Sequence, residues 1–207
     1  TTFRPPYTPI TYGAIAGREL GDLFDPIRKT ALHEWHKEAG ALFENVDQWK
    51  RPWYYPRPGE SMDEAVEREC QVVRSGVGIL DASTLGKIDI KGHDAGKFLN
   101  RMYINGFSKL AIGRCRYGFM LDDNGMVMDD GVTARLGPNH YLMHTTTSGA
   151  PHVMAWLERW LQTEWPDLRV YATSVTEQWA TVAIAGPRSR DVLCQLAPGL
   201  PLDAAEF

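Results

Sequence analysis

The chain of 207 residues has few cysteines, no excess of basic charge and no long apolar run, and each shortage removes a class of function. Cys70, Cys115 and Cys194 are widely spaced and form no CxxC pair, which argues against a structural zinc site. We read them as reduced, mostly buried thiols of a cytoplasmic protein. A net charge of -4 gives no basic footprint for nucleic acid. No stretch approaches the ~20 apolar residues of a membrane helix. The opening TTFRPPYTP lacks the charged-then-apolar pattern of a signal peptide. GxGxxG, P-loop and GxSxG signatures are also missing, so three common routes to nucleotide binding or acyl transfer have no support.

What is present begins with GMVMDDGVTA, residues 125–134. Apolar residues flank two adjacent acids, Asp129 and Asp130, in a stretch that reads as a strand. Strand neighbours point to opposite faces, so at most one of the two turns inward in a half-buried sheet. An inward carboxylate must be hydrogen-bonded, paired or functional. The preceding Asp122-Asp123-Asn124-Gly125 separates this strand from CRYGFML, 115–121, and signals a hairpin. Tyr117 then stands within reach of the acids across the hairpin. Carboxylate and phenol in an apolar cleft suit a nitrogen-rich heterocycle. A solvated strand end is the plainer alternative.

The rest of the chain reads as a mixture. Residues 30–40 are helical and end at Gly40; Ser61 and Glu64 form a capping box before EAVERECQVVRSG. VGILDAS reads as a buried strand and GKIDIKG as a half-exposed one. HDAGKFLNRMY is a helix with Ala95, Phe98, Leu99 and Met102 on one face. HYLMHTT is a strand, with His144 packed rather than catalytic. PHVMAWLERWLQTEW is an amphipathic helix with Val153, Trp156, Leu157, Trp160 and Leu161 aligned, and Thr147 or Ser148 is expected to cap it. LRVYATSV and WATVAIAG are strands, and Pro187 opens a last helix at its first position. Hairpins mixed with helical crossings make the class α+β. His33 and His36 have helical i, i+3 spacing, but no third ligand completes a metal set. Aromatics at 49, 53, 54 and 55 offer either a stacking surface or core. We expect 1–29 to be a proline-rich linker from a preceding domain, and 30–207 to be part of a domain in a longer polypeptide.

From about residue 30 onward the chain resembles the aminomethyltransferase family, the folate-binding T-proteins of glycine cleavage. The resemblance runs in order through HEWHKEAGALFENVDQWKRPWYY, VRSGVGILDASTLGKIDIKG, RYGFMLDDNGMVMDDGV and SVTEQWATVAIAGP. Within that family it is most similar to α subunits of heterotetrameric sarcosine oxidases. The resemblance implies a folate-binding fold of mixed and antiparallel sheets with packed helices, here lacking the C-terminal barrel. It implies an oxidoreductase complex in which sarcosine is oxidised at a flavin on another subunit. Tetrahydrofolate then captures the methylene group, giving 5,10-methylenetetrahydrofolate and glycine, with hydrogen peroxide as the other product. It implies a flavin-bearing β subunit and smaller γ and δ subunits as partners, with FAD, FMN and NAD elsewhere in the complex. Asp130 matches the key acid, Tyr117 a tyrosine beside the pterin, and Leu85 and Thr146 positions lining the folate site; Asp129 is left structural.

Departures from the T-protein pattern favour the oxidase subunit. The turn is Asn124-Gly125-Met126 rather than Asn-Gly-Gly, the Thr-Asn-Asp loop is Ile104-Asn105-Gly106, and Thr84 replaces a histidine. A glutamate segment that grips the pterin in the family lies beyond Phe207, so this segment alone is expected to bind folate weakly or not at all. The alternatives are a free T-protein working with a lipoyl carrier, or a non-catalytic folate-binding scaffold.

Overall fold

The computed structural model describes residues 25–200 and Leu202. The α+β class is as expected. Strand β1 (Arg28–Lys29) runs parallel to β3 (Trp49–Tyr54), which pairs antiparallel with β2 (Leu42–Val46). The end of the stretch read as a linker is therefore a strand of this sheet. Helix α1 (His33–Glu38) lies between β1 and β2 in the chain and is followed by Gly40 at φ +84°. Helix α2 (Met62–Ser75) starts at the expected capping box: Ser61 Oγ accepts from the Glu64 N–H, and the Glu64 carboxylate accepts from the Ser61 N–H.

Strand β4 (Gly78–Asp81) pairs with β10 (Val182–Ala185) in a two-stranded sheet. The expectation of a buried strand fails here: Ile79 and Leu80 are 56% and 57% exposed. An apolar run reports a potential for burial; among the described residues this sheet has only two strands, and α2 meets β4 at Gly78 through Val73.

The main sheet has the order β6-β7-β8-β5-β9, all antiparallel. It is built from β5 (Gly86–Lys91), β6 (Cys115–Leu121), β7 (Val127–Gly137), β8 (His140–Thr145) and β9 (Tyr171–Ser174). Helix α3 (Ala95–Met102) buries Ala95, Phe98, Leu99 and Met102, as its pattern predicts. Helix α4 (Ala150–Thr163) buries Val153 and Leu157, with Trp156, Trp160 and Leu161 packed beside them. Both meet the face carrying Ile88, Ile90, Met120, Tyr141 and Met143, and together they form the core. Strand β5 is more buried than its alternation suggests: Lys87 is fully enclosed. The segment Ser83–Leu85 and Thr176 close over the second face of β5 at this point, and the lysine finds carbonyl partners there.

Three further expectations change. All three cysteines are exposed, Cys115 on edge strand β6 and Cys70 and Cys194 on helices, so small apolar character did not draw them inward. Neither Thr147 nor Ser148 caps α4; Thr146 Oγ1 accepts from the Gly149 N–H instead. The last helix, α5 (Ser189–Leu196), has Arg188 as N-cap, which places Pro187 just outside it.

Candidate functional site

The hairpin turn sets the site. Asp122 accepts from Gly125 N–H through its carbonyl and from the Asn124 and Met126 N–H groups through its carboxylate; Gly125 takes φ +78°. This fixes the β6–β7 register, which puts Met120 opposite Asp129 and Phe119 opposite Asp130. The two acids therefore lie on opposite faces. Asp129 shares the helix-covered face with Met120 and Thr133 and is buried. Its Oδ1 accepts from the Thr146 hydroxyl at 2.6 Å and from the Thr146 N–H at 3.3 Å. Burial raises the Asp129 carboxyl above its usual range, and these hydrogen bonds only partly offset it.

Asp130 faces the other side, half-buried in the wall of a cavity of about 410 Å³. That side of the sheet also carries Tyr117, Phe119, Val132 and His144. Tyr117 donates its hydroxyl to Asp130 Oδ2, and the bond holds the phenol proton in place, raising its pKa. Leu85 and Thr146 line the same cavity, so the structure brings together Asp130, Tyr117, Leu85 and Thr146. The wall is mostly apolar, and its size is within the usual range for small-molecule sites. The aromatics near residue 50 are not part of it. Trp49 is buried under the Arg28 guanidinium at 4.1 Å, and Tyr55 bonds to His36.

The loop Ala82–Leu85 forms the cavity edge and is held from below. Lys87 Nζ donates to the carbonyls of Ser83 and Leu85 at 2.9 Å each and of Thr176 at 3.5 Å. Burial lowers the Lys87 pKa and the Asp81 charge partly restores it. Asp81 accepts from the Ser83 N–H at 3.0 Å and bonds to His36 Nε2 at 3.0 Å. Burial works against that carboxylate, yet its hydrogen bonds, those from Ser83 foremost, outweigh it and keep the Asp81 pKa low. His36 Nδ1 meets the Tyr55 hydroxyl at 2.5 Å, so both its ring nitrogens are engaged within the protein. His33 packs on Phe43 at a 4.5 Å centroid distance. Thr84 bonds to Thr147 at 3.1 Å in a buried hydroxyl pair.

Residues 32–207 match the GCVT N-terminal domain family. The chain belongs to that family. Its GCVT domain is 63% identical over the whole chain to the sarcosine oxidase subunit alpha of Corynebacterium sp. strain U-96, and covers 22% of that protein. It is 48% identical over 99% of its length to the sarcosine oxidase subunit alpha of Rhizobium meliloti, covering 21% of it. The chain thus spans about a fifth of the length of these relatives. An aminomethyltransferase of Koribacter versatilis is 31% identical over 82% of the chain and is covered to 42%. Among solved structures, the glycine cleavage system aminomethyltransferase T of Bartonella henselae superposes with a TM-score of 0.72 at 25% identity, over 84% of this chain and 44% of that one.

Two residues of the GCVT cavity escaped the sequence reading. Gly131 must be glycine because a Cβ there would lie 2.0 Å from the His144 carbonyl oxygen. The glycine after two acids was a visible signal, but its cause is the close approach of the β8 backbone at His144. His144 lines the cavity and donates from Nδ1 to the Val132 carbonyl at 3.1 Å. Its place beyond the last β7–β8 pair, Thr133 with Met143, could not be read from local pattern.

Proposed function

We propose that this chain is the folate-binding region of a sarcosine oxidase α subunit, where tetrahydrofolate captures the methylene group of oxidised sarcosine. The observation that carries the reading is the Tyr117–Asp130 pair in an apolar cavity that Leu85 and Thr146 also line. The 63% identity to a sarcosine oxidase subunit alpha supports the choice of reaction. Sarcosine, oxygen and tetrahydrofolate give glycine, hydrogen peroxide and 5,10-methylenetetrahydrofolate. The oxidation belongs to a flavin-bearing β subunit, with γ and δ subunits and the FAD, FMN and NAD of the complex outside this domain.

The cavity's residues suit the folate step. Capture of an imine carbon by an amine develops positive charge on nitrogen and releases protons. Asp130, fixed by the Tyr117 hydroxyl, stabilises that charge and accepts a proton at its free oxygen. Leu85 and Val132 exclude water from the same space, which strengthens the electrostatic effect. Thr146, bonded to Asp129, holds the β8 end of the wall. No covalent bond to the protein is needed.

The test is Asp130→Asn in the intact oxidase. The yield of methylenetetrahydrofolate per peroxide formed is expected to fall at least ~10-fold, within the range for loss of a positioned proton acceptor. Equal loss of both products would remove Asp130 from folate chemistry. A free aminomethyltransferase is the second reading, supported by the 31% identical relative. Thr84, in place of the T-protein histidine, weighs against it, and lipoyl-carrier-dependent methylene transfer by the protein would favour it.

A further inference from the structure

His144 has no role in the reading above, yet it stands in the same cavity. The β7–β8 ladder ends at Thr133 and Met143, and the next carbonyl on β7, that of Val132, is taken by His144 Nδ1–H. A carbonyl only accepts, so Nδ1 carries the proton. In the neutral ring Nε2 is then an acceptor, and among the described residues no group bonds to it. The ring is half-buried in the cavity wall.

The neighbouring hydroxyls of β6, of β8 and of the turn after β8 have committed their protons elsewhere. The Tyr117 hydroxyl donates to Asp130, Thr146 to Asp129, and Thr145 to the Thr146 carbonyl. What β6, β7 and β8 turn toward a ligand is therefore a set of side-chain lone pairs, chiefly the free Asp130 oxygen and His144 Nε2. On these three strands the wall accepts hydrogen bonds, and the Thr181 hydroxyl stands on the β10 side. This wall selects a ligand that presents N–H groups.

We propose that His144 is a specificity-determining residue of this cavity, its Nε2 accepting a hydrogen bond from an N–H of the bound heterocycle. The proposal rests on the folate reading and adds a residue and a polarity to it. The charged and titratable groups around the ring are Lys87, its cross-strand partner on β5, Asp130 on β7 and Tyr117 on β6. On the β10 side the cavity brings Thr181, Val182 and Ala183, none of which titrates in this range. Burial lowers the His144 pKa; the Val132 hydrogen bond opposes this and Lys87 adds to it. The imidazole is thus neutral at neutral pH and an acceptor there, and it loses that capacity on protonation.

The test uses the full-length polypeptide assembled with its partners and titrated anaerobically with tetrahydrofolate. His144→Phe keeps a ring and removes the acceptor; its Kd should rise about 10-fold, the usual consequence of leaving a ligand donor unpaired. His144→Gln restores an acceptor, and its Kd should stay within about threefold of the native value. Native affinity should weaken as pH falls below the ordinary imidazole value of 6.5, since the His144 pKa is lowered from it, and both variants should lack this limb. The limb in the native protein needs no variant, so a misfolded substitution does not remove the test. Native affinity in His144→Phe with the limb intact overturns the proposal and leaves the folate reading standing. Equal weakening in both variants also overturns it, since shape alone would then explain the effect. Failure of the native protein to bind tetrahydrofolate ends both.

Discussion

Asp129 and Asp130 share a ladder, a hairpin and a charge, and one residue of offset gives them opposite circumstances. Asp129 looks into the face covered by α3 and α4, where Thr146 supplies its hydrogen bonds and burial raises its pKa. Asp130 looks into an open cavity and holds one hydroxyl proton, that of Tyr117. The first carboxylate ties β7 to the start of α4. The second is left with an oxygen free for chemistry. The sheet is thus a partition, with structure organised on one side and the candidate site on the other.

The change expected to damage both sides is Gly131→Ala. Its Cβ would meet the His144 carbonyl, so β7 and β8 must separate where the two faces are joined. We expect a loss of about 3 kcal/mol in urea unfolding, at the upper end for an added methyl. Asp129→Ala should affect stability next, by about 2 kcal/mol, because the Thr146 N–H and hydroxyl lose their buried acceptor.

Asp129→Asn isolates the charge. A carboxyl whose folded pKa is raised gives stability that is full below its unfolded pKa and lost as pH rises through the folded one. The stability difference between Asp129→Asn and the native protein should therefore shift in the variant's favour on going from acid to neutral pH. A constant difference in parallel melts would show that Asp129 does not titrate in this window. The smallest effect belongs to Tyr117→Phe, on the half-exposed cavity side. Stability should stay within ~0.5 kcal/mol, and on the proposed folate reading the affinity for tetrahydrofolate should fall about threefold by titration, as loss of one part-exposed hydrogen bond would give.

Local signals explain what was legible beforehand. The Asp122–Gly125 turn, the capping box at Ser61 and the apolar stripes of α3 and α4 each depend on residues close in sequence, and each is in the structure. Alternation likewise placed the two acids on opposite faces. What local pattern could not supply was partnership between distant segments. Lys87 reads as a solvated charge until β5 is known to be central and its ammonium is found among carbonyls contributed by two loops. Ile79 and Leu80 read as core until β4 is seen paired only with β10. The spacing of His33 and His36 suggests a metal until His36 is seen between Tyr55 and Asp81. Among the cavity residues, the Asp129–Asp130 pair and Tyr117 stood out by chemistry and hairpin register, whereas the choice of Asp130 over Asp129, and Leu85 and Thr146, came from family resemblance. His144 was hidden because its role depends on where the β7–β8 ladder stops.

The ammonium of Lys87 does here what a bound calcium ion does in many extracellular modules. It gathers carbonyl oxygens from separate loops around one positive centre. Because that centre is covalently part of the chain, no chelator can extract it. The shape of the Ala82–Leu85 loop, and with it one edge of the cavity, is encoded in the gene and does not vary with ion supply.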